Sequence, residues 1–488
     1  MSEPLMQTRL EKLQRLRERG LDPYPPRFSP SHMILQVAER FSPLTVEERS
    51  GETVTIAGRL VAMRRMGRAA FLDLRDGSGK MQVHASLDAL GEEEYARLCD
   101  NDIGDFLGIT GEVFRTRRGE LTVSAAAWVL LSKSLRPLPE KWHGLKDVEL
   151  RYRHRALDLI ANENVREAFT RRSLMIAAIR RYLDEKGFLE VETPMMQPIA
   201  GGATARPFVT HHNALDADLY LRVAPELFLK RLVIGGLDRV YELAKNFRNE
   251  GVSTTHNPEF TTLEVYQAYS DYEGMMSLAE SLVAAGVRAA TGATTVSYQG
   301  QEIDFSAPWV RISLIEAVEK ASGIAISGSS QEEIVDQSRG KGIDLPVLSR
   351  GKLIEHLFDR FVEPNLFQPT IVKDYPIEIS PLAKMKSGED GIVERFELFI
   401  GGMEVANAFS ELNDPLDQRA RFEAQERLRS AGDEEAQRVD EDFLFALEHG
   451  MPPTGGIGFG IDRLAMLVTD ARSIRDVILF PALRSRAK

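Results

Sequence analysis

The chain of 488 residues carries 61 basic and 73 acidic side chains, a formal charge of −12, and is 43% hydrophobic and 27% charged. Such a length suggests about three folding units, the composition excludes a fibrous or wholly disordered protein, and the negative charge confines any nucleic-acid contact to local basic patches. The single cysteine, Cys99, excludes intrachain disulfides and Cys-rich zinc sites and fits a reducing, cytoplasmic compartment. Apolar runs such as Ala125 to Leu131 stop far short of the ~20 residues that span a bilayer, and the first residues lack the apolar core of a signal peptide, so neither membrane insertion nor secretion is expected.

Leu5, Leu10, Leu13 and Leu16, spaced among charged residues, predict an amphipathic helix over 5–20 that ends at Gly20. Pro23, Pro25 and Pro26 break it, and a short helix follows around Ser31 to Phe41, giving a helical extension over residues 1–50. Strand-like stretches then run through Val54–Arg65, Ala69–Arg75, Lys80–Ala85, Asp105–Arg115 and Glu120–Leu131, with turns at Asp76-Gly77-Ser78-Gly79 and Arg117-Arg118-Gly119. A helix, Leu87 to Cys99, falls between the third and fourth. Three strands, a helix and two strands is the order of an OB-fold barrel, expected over 51–137.

Alternation on the second strand turns Ala70, Leu72 and Leu74 one way and Phe71, Asp73 and Arg75 the other, while Gln82 and His84 face outward on the third. An aromatic and an amide on one exposed face suit single-stranded bases, whose stacking is worth ~1–3 kcal/mol each. Arg64, Arg65, Arg68, Arg115, Arg117 and Arg118 offer phosphate contacts. The same pattern fits equally a Phe71 packed beneath the neighbouring helix and a solvated arginine face.

Prolines and charges over 138–150 read as a linker, and a larger block fills 151–488. It opens with a helix over Val165–Lys186 closed by Gly187, runs in strands and loops to about Tyr269, and is expected to be helix-rich over 271–395. A Gly401-Gly402 turn between two short strands, a charged helix over Asp417–Ala431 and the glycine run Gly455–Gly460 complete it. The stretch Phe247-Arg248-Asn249-Glu250, then His256-Asn257-Pro258-Glu259-Phe260, Glu264 and Tyr266 gathers a guanidinium fork, an imidazole and a flat ring, as a binding site or as an ordinary polar hairpin. If Gly401-Gly402 form a two-residue loop, Phe399 faces Glu404 and Glu397 lies diagonally on the same face, near enough to share Mg²⁺. Asn407 and Glu411 join that face only if a bulge lies near Ala406. The glycine run contains no G-x-G-x-x-G in any register and no phosphate-loop signature; what remains is a bare strand followed by Arg463.

Taken in order, these segments resemble the class II aminoacyl-tRNA synthetases, most closely the lysine-specific branch, over nearly the whole chain. Gly187-Phe188-Leu189-Glu190-Val191-Glu192-Thr193-Pro194 looks like motif 1 (around 165–200), Phe247 to Tyr266 like motif 2 (around 240–269) and Gly458 to Arg463 like motif 3 (around 455–470). The resemblance implies an α+β protein: the OB-fold barrel followed by a catalytic domain on an antiparallel sheet flanked by helices. It implies ATP-dependent ligation of L-lysine to tRNA(Lys) through an adenylate, with Mg²⁺, by a homodimer joined through motif 1.

Residue by residue, it implies that Arg248 and Arg463 are catalytic. Arg248 would hold the ATP α-phosphate and the amino-acid carboxylate, Glu250 and Asn257 would border the adenine, Phe260 and Arg463 would sandwich it, and His256 would lie near the γ-phosphate. Glu397 and Glu404 would carry Mg²⁺, Glu397 also meeting ATP. Gly202, Glu226, Glu264, Tyr266, Asn407, Phe409 and Glu411 would receive lysine, and Phe71, Gln82 and Glu120 would read the anticodon. Thr255 departs from the arginine that bacterial members often carry before His-Asn-Pro-Glu-Phe, which shifts the γ-phosphate contact toward His256 and Arg463. An aspartate or asparagine enzyme of the same subgroup would need cationic or amide groups around its substrate, where Glu226, Glu264, Glu411 and Tyr266 instead suit an ammonium. A non-catalytic tRNA-binding relative would have lost ATP ligands that are all present, and a lysine-transferring, protein-modifying paralogue would lack the barrel.

Overall fold

In a computed structural model, described over residues 3–138, 145–346, 348–430 and 436–484, the five alternating stretches form strands Arg49–Met66, Ala69–Arg75, Lys80–Ser86, Phe106–Arg115 and Leu121–Ser132. They close into a barrel in the order first, second, third, fifth, fourth. Ile56, Leu60, Leu72, Leu74, Val83, Ile109 and Val113 point inward and are fully buried; each such side chain contributes roughly 1.5–3 kcal/mol. Asp76 organises the second turn as an Asx turn, accepting from the amides of Ser78 and Gly79 at 2.7 and 2.9 Å. Its other oxygen accepts from the Ile34 amide at 2.9 Å, which satisfies a free donor at the start of the helix Ile34–Arg40. The first helix spans Glu3–Glu18. The single helix expected over Leu87–Cys99 is two, Leu87–Leu90 and Glu92–Cys99, because Gly91 between them has a φ of 79° that no helix tolerates.

The chain divides into units Met1–Lys146 and Asp147–Lys488. Of the expected linker, residues 139–144 lie outside the described residues. Two short helices that the sequence pattern did not indicate, Val148–Arg153 and Arg155–Ala161, open the second unit; at six and seven residues they are too brief for a helical period to show. Arg155, wholly buried, donates to Asp158 at 2.6 Å and to the carbonyls of Leu479 and Arg475 at 2.9 and 3.0 Å, tying this start to the end of the unit.

At the centre lies an eight-stranded sheet, in the order Val310–Ser313, Thr370–Pro376, Ile392–Ile400, Met403–Ser410, Thr454–Gly460, Glu259–Ala268, Arg239–Phe247 and Leu189–Glu190. The two edge pairs are parallel and the rest antiparallel. Two of these strands come from the segment expected to be helix-rich: Val310–Ser313 is only four residues long, and Thr370–Pro376 is buried almost throughout, so neither shows the alternation that marks a half-exposed strand. One face of the sheet presents Leu263, Val265, Phe396, Leu398, Ala408, Ile457 and Phe459. It packs on the helices Glu163–Glu185, Tyr272–Thr291 and Ile461–Thr469 through Met175, Ile179, Met275, Leu282 and Leu464. Period-two geometry sends the intervening residues, nearly all polar or glycine, to the opposite face.

The Gly401-Gly402 loop has φ values of 63° and 71°, as a type I′ hairpin turn requires. Phe399 stands opposite Glu404, but Leu398 stands opposite Ala406 and Glu397 opposite Asn407, so Val405 is the extra residue of a bulge, one position from where the sequence required it. A Cβ on Gly401 would lie 3.0 Å from Leu467 and 3.1 Å from Tyr298. Gly401→Ala is therefore expected to destabilise the second unit by about 1–3 kcal/mol, read as a lower urea midpoint for that unit, and to disturb the register on which the placement of Glu404 depends.

Candidate active site

The polar face of the sheet floors a cavity of about 740 Å³. Alternate positions of three neighbouring strands supply its lining: Phe260, Thr262, Glu264 and Tyr266 from one, Asn407 and Phe409 from another, with Glu411 just beyond, and Gly456, Gly458 and Gly460 between them. The glycines are required by what lies over them. A Cβ on Gly456 would fall 1.9 Å from Glu411 Oε1 and 2.7 Å from the Tyr266 ring, and one on Gly458 would fall 2.7 Å from Glu264 Oε2. The bare strand read from the sequence thus makes room chiefly for side chains of its neighbours.

At one end of the cavity stand three carboxylates. Glu226, in the first turn of the helix Glu226–Ile234, lies beside Gly202 and meets Lys230 Nζ at 2.6 Å. The same ammonium is paired with Glu411 Oε2. Glu411 Oε1 is buried without a hydrogen-bond partner among the described residues. Glu264 has no ammonium or guanidinium within ion-pair distance among the described residues; burial first, then Glu226, push its carboxyl up to about 8, against the pull of Thr262 and Arg248. Burial likewise pushes Glu226 and Glu411 up, with Lys230 opposing in both. The arrangement is deficient in positive charge and suits a cationic group.

At the other end, Arg248 lies 5.1 Å over the Phe260 ring, and its Nε is buried with no hydrogen-bond partner among the described residues, a donor left for a ligand oxygen. Arg463 donates to the Glu404 carbonyl at 2.7 Å and to its carboxylate at 3.1 Å, and its second terminal nitrogen lies 3.3 Å from His256 Nε2. His256 Nδ1 meets Ser253 Oγ at 2.9 Å and Thr255 Oγ1 at 3.1 Å; burial and the Arg463 guanidinium hold its imidazole below the usual range, hence neutral. Asn257 lines the cavity, but its amide is spent on the backbone, donating to Glu259 O at 2.6 Å and accepting from Ala482 N at 3.1 Å. Glu250 lies at the exposed rim. Glu397 accepts from Arg395 at 2.6 Å and from Tyr375 at 2.9 Å; burial pushes it up, Arg395 pulls it down and Glu404 pushes it up again, so a cation between the two would relieve both repulsion and desolvation. No group of three or more His, Cys, Asp or Glu among the described residues is arranged to hold a metal alone. Two hard carboxylates would hold Mg²⁺ only with ligand oxygens completing the set.

Several residues that order the site escaped the sequence reading. Asp462 accepts from Arg172 at 2.7 Å and from the Thr261 amide at 2.7 Å, joining the helix Glu163–Glu185, the strand Glu259–Ala268 and its own helix. Buried Arg222 donates to Glu242 at 2.6 Å and to the carbonyls of Lys245 and Thr193, whose hydroxyl also donates to Glu242 at 2.7 Å. The only sequence signal for Lys230 was its position four residues after Glu226 on a helix.

On the barrel, Phe71 is half-buried outside the core, 5.0 Å from the His84 ring, which is 6.1 Å from Phe114. Gln82 accepts from Thr122 at 3.1 Å, and Glu120 is exposed at the end of the turn. Arg64, Arg65, Arg68, Arg117 and Arg118 are exposed. Arg115 is not free for phosphate: it donates to the carbonyls of Leu44, Gly119 and Ser42 at 2.6, 2.8 and 2.8 Å.

Residues 147–484 match the family "tRNA synthetases class II (D, K and N)", and residues 54–131 match the "OB-fold nucleic acid binding domain". The lysine--tRNA ligase of Moorella thermoacetica is 55% identical over 487 residues, 99% of this chain and 98% of the relative. That of Pelotomaculum thermopropionicum is 54% identical over 99% of this chain and 95% of its own length, and that of Synechococcus sp. (strain RCC307) is 53% identical over 100% and 98%. With a family match across most of its length, on a sheet whose polar face gathers residues of the expected motifs 2 and 3, the chain belongs to the class II tRNA synthetases.

Proposed function

We propose that the chain joins L-lysine to the 3′ end of tRNA(Lys) in two steps, releasing pyrophosphate and then AMP. The observation that carries the choice of lysine is the charge-deficient end of the cavity, where Glu264 and the unpartnered oxygen of Glu411 await a cation; an aspartate side chain would be repelled there and an asparagine amide would leave the charge uncompensated. Relatives named as lysine--tRNA ligases over the whole length support the same reading.

With the ammonium held by Glu264, Glu411 and Tyr266, the lysine carboxylate reaches Arg248, whose free Nε also suits the ATP α-phosphate, so one guanidinium brings the two reacting groups together. Phe260 and Arg463 would enclose the adenine by stacking and cation–π contact, with Glu250 and Asn257 at its edge and His256 and Arg463 toward the γ-phosphate. Glu397 and Glu404 would hold Mg²⁺ against the phosphates, and that ion supplies charge neutralisation as pyrophosphate leaves. The barrel, proposed over 51–137 behind the helical extension 1–50, would read the anticodon with Phe71, Gln82 and Glu120, a linker over 138–150 leading to the catalytic domain over 151–488. A homodimer joined through motif 1 is supported by Leu174, Met195 and Met196, which are 48, 49 and 54% exposed beside it. A buried, unpaired Cys99 fits the cytoplasm. No helix among the described residues is long and apolar enough to cross a membrane.

ATP–pyrophosphate exchange measured with each standard amino acid separately should depend on lysine; exchange driven by another amino acid and not by lysine would refute the assignment. Because Glu264 is protonated below about 8, lysine binding must expel a proton at neutral pH. Affinity should therefore rise by up to about tenfold per pH unit toward pH 8 and then level off, with proton release visible by calorimetry in buffers of different ionisation enthalpy. Glu264→Gln should reduce that pH dependence, the remainder following Glu411, which burial also pushes up to about 8, and should weaken lysine on the order of 30-fold or more while sparing ATP.

Replacing Glu397 or Glu404 by alanine should abolish exchange yet leave lysine binding measurable by calorimetry; a double variant with normal exchange at limiting Mg²⁺ would remove the metal assignment.

Phe71→Ala should cost about 1–3 kcal/mol in tRNA binding and leave exchange unchanged, whereas a variant that charges tRNA normally would show that this face does not read it. Binding should also fall steeply with salt through the exposed arginines.

A further inference from the structure

Lys230 lies behind the cavity, wholly buried, and lines none of it. Its ammonium meets Glu226 at 2.6 Å, pairs with Glu411 and stands 5.2 Å from the Phe409 ring centroid. Burial alone would strip a lysine of its proton, but the two carboxylates more than offset this and keep it charged. Of the three carboxylates, Glu226 and Glu411 therefore share one resident cation, while Glu264 has none within ion-pair distance among the described residues. A fully compensated set would need more positive charge, and a set with none would be protonated and would bind nothing cationic.

We propose that Lys230 is a specificity-determining positioning residue: by neutralising the Glu226–Glu411 side of the pocket from within the fold, it leaves Glu264 and one oxygen of Glu411 to receive a single primary ammonium from the substrate. The inference rests on the lysine reading above and gives it a physical cause, since the pocket counts charges rather than merely being acidic. One turn of the helix Glu226–Ile234 separates Glu226 from Lys230 and sets the geometry, and the Gly456 floor leaves room for Glu411 Oε1. Lys230 touches no substrate in this arrangement; it acts through the two glutamates.

The test is lysine-dependent ATP–pyrophosphate exchange in the full-length wild type, in Lys230→Met, which keeps the length of the side chain without its charge, and in Lys230→Met combined with Glu226→Gln. The single variant should raise the lysine KM about 30-fold or more while the ATP KM stays near the wild-type value. It should also move the pH at which lysine KM levels off upward, because the remaining charged groups around the carboxylates, Arg248 and Arg395 on one side and Glu242 on the other, do not replace the lost cation. The double variant removes one charge of each sign and should recover much of the lysine KM. A role in stability alone predicts the reverse: losses that add in the double variant, with lysine and ATP affected alike. Unchanged lysine KM in Lys230→Met, or a double variant worse than the single, would overturn the proposal. Should Lys230→Met fail to fold, the double variant decides: lysine-dependent exchange supports the charge count, and a folded double variant without it refutes it. A wild type whose exchange ignores lysine would sink the functional reading itself, an outcome distinct from a lysine-dependent wild type indifferent to Lys230.

Discussion

Carboxylates can crowd one face of a sheet only if the strand between them carries no side chains there. Thr454–Gly460 meets that condition by turning Gly456, Gly458 and Gly460 to the cavity and Gly455, Ile457 and Phe459 to the helices. Glu264 and Glu411 lie across the vacated surface from neighbouring strands, and their carboxyl groups lose water in doing so. The apolar face gains the usual burial, whereas the polar face holds desolvated charge that a bound ligand would relieve. Stability and recognition are thereby assigned to opposite sides of one strand.

Holding that face flat falls to charges that never touch a ligand. Asp462 fixes the start of the last long helix to Arg172 and to the amide of Thr261, so the segment bearing Arg463 and the segment bearing Phe260 share a support. Arg222 and Glu242 do the same between the strand of motif 2 and Thr193 of motif 1. Breaking one partner of such a buried pair costs about 3–5 kcal/mol, comparable to much of a domain's net stability. These pairs explain why segments far apart in the chain must act as one body.

Local rules were sufficient where a residue's position follows from its neighbours in sequence. Period-two alternation placed Phe71, Gln82 and His84 outward and Leu72 and Val83 inward, and the demand that Glu397, Glu404, Asn407 and Glu411 share a site located the bulge at Val405 to within a residue. Local rules failed where partners are distant or where both faces are buried. Thr370–Pro376 has no alternation to read, Arg115 is absorbed by carbonyls from two loops, and nothing in the spacing of Asp462 announces Arg172, 290 positions earlier. Lys230 shows the boundary between the two: its pairing with Glu226 was implicit in helical spacing, while its pairing with Glu411 exists only in the folded chain.

The bulge at Val405 splits its strand into two lengths with independent facing. Outward of it, toward the turn, Glu404 is set by the hairpin loop; inward, Asn407, Phe409 and Glu411 are set by pairing with the glycine strand. Because the extra residue absorbs the mismatch, substitutions in the inner length need not propagate to the outer one. Side chains facing the amino acid can thus differ while the hairpin loop keeps Glu404 in place, and Arg395 ties the two ends together, donating to Asn407 at 3.1 Å and to Glu397 at 2.6 Å.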